Sequence, residues 1–280
     1  MVSMGRAATG TAFSVKGGQV TAPLTGFVDI HVHLIPGVDD GPGTFQELLQ
    51  MLRVAYESGT RKLIATPHMF LDPYNNSDLL KMFSRFAELV AELRRLTEEP
   101  EFSFLSEMAV YLGSENYVSF EFLEALRDRS VLTLNGSRYL LLEYPAFLAR
   151  SALEFALEQV VAAGFVPVIA HPERYSSIRN NPEAASRLLE LGCVLQVNAS
   201  SVLAESGSSL KRTSLWLLDR DLAQIVATDG HGTNGRAPSF GAAFAKLSAL
   251  YSPDKAQRLM IENPLAVIRN RSLPPANTDS

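Results

Sequence analysis

Two residue pairs spaced i, i+2 carry the first chemical signal: His31 and His33 in DIHVH, and Asp229 and His231 in ATDGH. In a strand that spacing turns both side chains to one face, so each pair can offer its donors to a common ion. The other histidines are His68 in ATPH and His171 in AHPERY, so all five fall in short polar motifs. Each motif lies in, or just after, a β-branched apolar run that reads as a buried strand: FVDI, KLIAT, VPVIA and QIVAT. Buried histidines bonded to backbone carbonyls would explain any one of them. Five at strand ends point to metal ligation.

Carboxylates occupy comparable places: Asp40 in GVDDG, Glu115 in GSENY and Glu143 in LLLEYP. Asp40 could instead belong to an Asp-Gly turn, with Asp39 serving as the ligand. Glu115 could instead cap a helix beginning near residue 119. Glu143 closes a buried run, where a lone carboxylate needs a partner. The candidate donors are then His31, His33, Asp40, His68, Glu115, Glu143, His171, Asp229 and His231. Nitrogen and oxygen donors without a suitable thiolate favour Mn, Zn, Fe or Mg over copper or iron–sulfur centres.

Nine donors exceed the needs of one ion and suit two or three ions joined by a bridging carboxylate. Ions about 3.5–4 Å apart can hold a bridging hydroxide and clamp phosphoryl oxygens. The chemistry implied is hydrolysis of a phosphomonoester by attack of that hydroxide on phosphorus. Arg174, three residues after His171, and Arg236, after His231, could grip the remaining phosphate oxygens, although either could equally be a solvated surface side chain. A cysteine-based phosphatase would need an arginine six positions after its nucleophile. The single cysteine, Cys193, has none there and reads as a core thiol. No GxSxG, GxGxxG or GxxxxGK[ST] motif occurs.

The elements that must position these residues alternate along the chain. Strands are expected near 27–31, 62–66, 108–113, 139–143, 166–170, 193–198 and 224–228. Thr44 and Glu47 form a capping box for a helix that stops at Gly59. Asn76 or Ser77 opens a long helix, Ser119 another, and Ser151 with Glu154 repeats the box before Gly164. Asn181-Pro182 starts a helix ending at Gly192, and later helices cover 209–219, 239–250 and 253–261. Seven strand–helix units without a composition break predict one parallel α/β domain over 25–270. Polar residues at the strand ends favour a closed barrel, with its site at the C-terminal face.

Length, a 46% hydrophobic fraction and a net charge of −5 fit a globular enzyme and argue against general nucleic-acid binding. One cysteine excludes an intramolecular disulfide and fits a cytoplasmic protein. No apolar stretch is long enough for membrane insertion. Residues 1–24 read as a flexible tail and 271–280 as a disordered end.

The ordered motifs DIHVHLIPGVDDG, ATPH, GSENY, LEYP, AHPERY and ATDGH resemble those of the PHP (polymerase and histidinol phosphatase) superfamily. Within it they are most similar to bacterial capsule and exopolysaccharide tyrosine-protein phosphatases, through PGVDDG, TLNGSRYLLLEYP, HPERY, QVNASS and the GR dipeptide after the last histidine. The resemblance implies a distorted (β/α)7 TIM-like barrel holding up to three ions, usually Mn²⁺. His31, His33 and Asp229 would share one ion. Glu115 would bridge it to a second ion, bound also by Glu143 or His171, and Asp40, His68 and His231 would complete the cluster. Arg174 and Arg236 match positions that contact substrate phosphate. The substrate implied is the phosphotyrosine tail of a bacterial tyrosine autokinase. Histidinol phosphate or another small phosphomonoester is the alternative. Gly230 stands where the family varies.

Overall fold

In the computed structural model, which describes residues 25–274 apart from Asn75 and Phe147, every strand pairing is parallel. The strands are β1 (Phe27–Val32), β2 (Thr60–Ala65), β3 (His68–Met69), β4 (Ala109–Leu112), β5 (Glu115–Tyr117), β6 (Tyr139–Glu143), β7 (Val166–Ala170), β8 (Val194–Asn198) and β9 (Ile225–Ala227). They form two sheets, β1-β2-β4 and β3-β5-β6-β7-β8-β9. β2 runs on into β3 across Thr66-Pro67, and β4 into β5 across Gly113-Ser114. The nine strands are therefore seven staves, two of them broken.

Both breaks have local causes. Pro67 has no N–H to give to a ladder. At Gly113 a Cβ would lie 2.8 Å from Ile64 and 3.0 Å from Leu134, so the backbone passes too close for any side chain. Beyond the breaks the ladder resumes with His68 paired in register with Glu115, which sets two candidate donors side by side.

The ends of the stave order meet between β1 and the residues after β9. Asp229 N donates to His31 O (2.8 Å), His33 N donates to Gly230 O (2.9 Å), and Val32 bridges Gly230. Behind this seam, the buried Asp29 carboxylate accepts from Thr228 N (3.1 Å) and from Thr228 Oγ1. β1 also carries a bulge: Asp29 to Val32 spans three steps against two from Leu63 to Ala65. The extra residue lets Ile30 join the interior apolar cluster while the adjacent His31 reaches the polar centre. The result is a distorted (β/α)7 barrel.

Helices α1 (Phe45–Glu57), α2 (Leu79–Leu96), α3 (Phe120–Arg127), α4 (Arg150–Ala162), α5 (Ser176–Asn180), α6 (Ala184–Glu190), α7 (Ala199–Leu203), α8 (Ser209–Asp219), α9 (Gly241–Leu250), α10 (Pro253–Gln257) and α11 (Asn263–Ile268) surround the staves. α1 and α2 bury Leu48, Leu52, Leu89 and Leu93 against β1 and β2, while α3, α4 and α9 pack on the outer faces of β6 to β9. The Thr44–Glu47 capping box is present, and Ser119 caps α3. Two other starts differ from expectation. Asp78, rather than Asn76 or Ser77, caps α2 by accepting from Lys81 N. α4 begins after Ala149, so Ser151 and Glu154 lie inside it, and Glu154 instead meets Arg150 at 2.8 Å and Arg187 at 3.3 Å. The segment expected as one helix over 253–261 is α10 followed by a π turn.

At the C-terminal end, Tyr139 Oη donates to Arg271 O (2.6 Å) and Arg138 to Ser272 Oγ (2.8 Å), which ties down the start of the stretch expected to be disordered. Residues 1–24 and 275–280 lie outside the described residues.

The seam predicts a mutational outcome. Asp29→Ala strands the Thr228 amide and hydroxyl without acceptors. It should lower unfolding stability by about 2–4 kcal/mol in urea titrations. A loss below about 0.5 kcal/mol would show that the closure does not depend on this carboxylate.

Candidate metal centre

Glu115 is the hub. It opens β5 at the Gly113-Ser114 break, is buried, and does not cap α3. Its Oε2 lies 3.2 Å from His31 Nε2, 3.4 Å from His33 Nε2 and 3.3 Å from His68 Nδ1, and its Oε1 lies 3.0 Å from His171 Nε2. Around it are three groups whose donor atoms all lie within 4.8 Å of one another: His31, His33, Glu115 and Asp229; His68, Glu115 and Glu143; and His33, Asp40, His68 and His231. His171 Nε2 is 3.9 Å from Glu143 Oε1, which ties it to the second group. All nine donors expected from the sequence are thus brought together.

His31 Nε2, His33 Nε2, His68 Nδ1 and His231 Nε2 are buried and make no hydrogen bond, although each has carboxylate oxygens nearby. Buried polar atoms are seldom left so. Several nitrogens aimed at common points between carboxylates fit divalent cations.

The far nitrogens of three rings are held. His31 Nδ1 meets Gln196 Oε1 (2.8 Å), His33 Nδ1 meets Asp39 Oδ2 (2.7 Å), and His231 Nδ1 meets Asp229 O (2.9 Å). Such partners fix ring orientation and tautomer. Asp39 and Asp40, which the sequence leaves interchangeable, separate here. Asp39 is inward and also accepts from Gly41 N and His68 N, both at 3.0 Å. Asp40 is 41% exposed and faces His231 Nε2 (3.1 Å) and His68 Nε2 (3.4 Å). A Cβ at Gly230 would fall 2.9 Å from the Pro238 ring, so this variable position is closed to other residues in this chain. His171 (φ 37°) and Asp229 (φ 53°) hold left-handed backbone without being glycine, so two of the donor positions carry local strain.

Both arginines reach the centre. Arg174 Nη1 donates to Asp229 Oδ2 (3.1 Å), Arg236 Nη2 donates to Asp229 Oδ1 (2.9 Å), and Arg236 Nη1 lies 3.5 Å from Asp40 Oδ2. At 45% and 40% exposure they border the opening. Tyr74 stacks on His68 with ring centroids 5.5 Å apart, while Phe70 packs edge-on to Phe122. Only Tyr74 of that pair borders the centre. An apolar cavity of about 750 Å³ beside α2, lined by Phe83, Phe86, Val90 and Leu132, shares no residue with it.

The electrostatics follow from burial and pairing. Burial disfavours charged imidazoles, yet Glu115 and Asp229 overcome it and hold His31 up at about 9. Asp39 and Glu115 likewise hold His33 at about 10. Against its own burial, Glu115 is driven well below the usual carboxylate range by His31 and His171. Asp229 is also low, through His31 and His171, whereas burial and Glu115 raise Glu143. Burial lowers His231.

The sequence reading passed over Gln196, Asn198 and Glu173, all fully or almost fully buried. The signal was present: Gln196 and Asn198 are an i, i+2 polar pair in the buried strand VLQVN, as His31 and His33 are in theirs.

A parallel barrel that gathers imidazoles and carboxylates at the C-terminal ends of its staves has the architecture of a metal-dependent hydrolase. The family model described as capsular polysaccharide synthesis, CpsB/CapC, matches residues 27–269, and the chain belongs to this family. It is 29% identical to the tyrosine-protein phosphatase CpsB of Streptococcus pneumoniae, over 87% of this chain and 99% of that protein. It is 31% identical to the tyrosine-protein phosphatase YwqE of Bacillus subtilis, over 88% of this chain and 93% of that protein. A solved structure from work on YwqE and CpsB, described as unique metal-dependent tyrosine phosphatases, superposes with a TM-score of 0.79 at 31% identity. It covers 89% of this chain and 98% of that one. The Listeria monocytogenes lactonase Lmo2620, at 10% identity and a TM-score of 0.54, shares the fold alone. The capsule-type resemblance carried by the motifs is borne out.

Two outcomes test this geometry. Asp39→Ala removes the acceptor of three donors and should cost the metal-stripped protein about 2–4 kcal/mol, while Asp40→Ala should change it by under about 1 kcal/mol. Equal losses in urea titrations would refute the division of roles. The second concerns pH. His31 and His33 are raised to about 9 and 10, so their pairing stabilises the metal-stripped fold fully below about pH 6.5. That contribution should drain away as pH rises through the raised values. Calorimetry near pH 7.5 should accordingly show protons released on Mn²⁺ binding, and binding without release would contradict the raised values.

Proposed function

We propose that this chain is a metal-dependent phosphatase acting on phosphotyrosyl proteins. The observation that carries the reading is the convergence of nine donors around buried Glu115, with two arginines at the opening. Its relatives' designation as tyrosine-protein phosphatases supports the same chemistry. We assign His31, His33 and Asp229 to one ion, with Glu115 shared to a second held also by Glu143 and His171. Asp40, His68 and His231 make the third position. Hard oxygens and imidazoles suit Mn²⁺, with Fe, Zn or Mg as other candidates.

Divalent cations held there would polarise phosphoryl oxygens and make a water nucleophilic near neutral pH. The chain's own residues supply the rest. Arg174 and Arg236 present guanidinium forks at the opening, where they can grip non-bridging phosphate oxygens in two-point hydrogen bonds. Gln196, Asp39 and the Asp229 carbonyl keep three rings from turning. Tyr74 stacks on one face of the His68 ring. Cys193 takes no part: it is buried, and burial pushes its thiol up to about 12.

The physiological substrate we assign is the phosphotyrosine tail of a bacterial tyrosine autokinase in capsule or exopolysaccharide regulation. The capsular polysaccharide family supports this context. A cytoplasmic setting fits the single free thiol. Among the described residues, no helix is long and apolar enough to cross a membrane.

Phosphate release from a phosphotyrosyl peptide should appear only when Mn²⁺ is restored to metal-stripped protein, and should survive thiol alkylation. Arg174→Ala and Arg236→Ala should each lower kcat/KM by about 10- to 100-fold, the worth of one charge-assisted contact. Release without metal, or a strong preference for histidinol phosphate over the peptide, would overturn the assignment.

A further inference from the structure

Gln196 and Asn198 lie two apart in β8, 0% and 3% exposed, between two candidate ligands of the first ion. Their side chains form one unbroken chain of hydrogen bonds. His31 Nδ1 meets Gln196 Oε1 (2.8 Å), Gln196 Nε2 meets Asn198 Oδ1 (2.9 Å), and Asn198 Nδ2 meets Asp229 Oδ2 (2.8 Å). Asn198 is pinned from behind, its backbone N donating to the buried Glu173 Oε1 (2.9 Å).

The chain has a direction, and one group dictates it. An ionised carboxylate can only accept, so Asn198 must turn its NH₂ to Asp229. Its carbonyl then faces Gln196, which must answer with its own NH₂. The Gln196 carbonyl is left facing His31, so Nδ1 must carry the proton and Nε2 is left to point its lone pair at the cluster. Both amides are neutral, so they impose this order without adding charge. A carboxylate in place of Gln196 would add a third anion beside His31, already flanked by Glu115 and Asp229, and would make the ring hold protons more tightly against a cation.

We propose that Gln196 and Asn198 are positioning residues for cation binding, which act as one amide relay that sets the tautomer of His31 and the orientation of Asp229 together. The inference rests on the reading of the cluster as a cation site. It assigns to β8, which offers no ligand of its own, the task of coupling a ligand of β1 to one that follows β9.

The test is Mn²⁺ affinity by chelator competition, read beside the thermal midpoint of the metal-stripped proteins. Gln196→Met and Asn198→Leu should each weaken the affected Mn²⁺ site by about 10- to 100-fold. The double variant should lose little more than the worse single, because both break the same chain. Gln196→Glu can still accept from His31 but cannot donate to Asn198, so it should recover only part of the loss. Thr66→Val is the control. Its hydroxyl is buried and bonded to Val32 but stands outside the relay, so affinity should hold even where the midpoint falls. Where a nonpolar variant fails to fold, Gln196→Glu, which keeps the volume but cannot donate to Asn198, decides the question through its Mn²⁺ affinity. Unchanged affinity in the relay variants, additive losses, or an equal loss in Thr66→Val would overturn the proposal. Wild-type protein that binds no Mn²⁺ would sink the cation reading and this inference with it. Binding wild type with indifferent variants would sink the inference alone.

Discussion

A carboxylate buried as deeply as Glu115 has to be met by positive charge, because taking an ion out of water unpaired costs far more than a fold can offset. Much of this barrel answers to that demand. Four imidazoles from β1, β3 and the end of β7 approach its two oxygens. In the bare protein the countercharge comes from protonated rings, chiefly His31 and His33, which sit well above their ordinary range. Cations would discharge the same debt while displacing those protons. Proton affinity and metal affinity are two readings of one negative potential at the mouth of the barrel.

The barrel must deform to deliver so many polar groups to one place. A regular strand alternates its faces, so it can send only every second residue inward. β1 escapes this by its bulge, which spends Ile30 on the apolar interior and still turns His31 to the centre. Across the breaks in the next two staves the register holds, with Ala65 opposite Leu112 and His68 opposite Glu115, so these two donors stay side by side. Both ligand pairs also flank the seam, where Asp29 clamps Thr228 and the main chains of His31, His33, Asp229 and Gly230 are mutually bonded. Closing the barrel and assembling the site are one event.

What was legible in the sequence was whatever obeys a short period. The His31–His33 pair, the apolar staves and the box at Thr44 are local patterns that reappear where their spacing places them. Asp229 and His231, by contrast, lie past β9, with Asp229 in left-handed backbone, so no strand period aims them. What was hidden depends on contacts distant in sequence. Nothing in GVDDG says that Asp39 turns in to His33 while Asp40 stays at the rim. The loop must first fold over β1. Gly113 reads as part of a strand until Ile64 and Leu134 are seen to crowd it. Asp78 displaces Asn76 and Ser77 as a cap because Asn76 is occupied, its amide donating to Val38 O and His68 O. Phe70, two residues past His68, is likewise taken up by an edge-on contact with Phe122 that its sequence neighbours do not announce.

Asp229 is where the two halves of the site meet. Its Oδ1 meets both His31 and Arg236, and its Oδ2 meets Arg174 and Asn198, so each oxygen faces an arginine as well as the buried network. His31 and His171, with Arg236, hold its carboxyl well below the usual carboxylate range against its own burial, so near neutral pH it is a pure acceptor. That constancy gives the amides of Asn198 and Gln196 a fixed polarity, and through them His31. A neutral residue at 229 could accept or donate, the amides could flip, and the ring they orient would lose its reason to face inward. The negative charge of a single carboxylate therefore does more than attract cations: it sets the direction of every hydrogen bond between itself and the ring across the barrel.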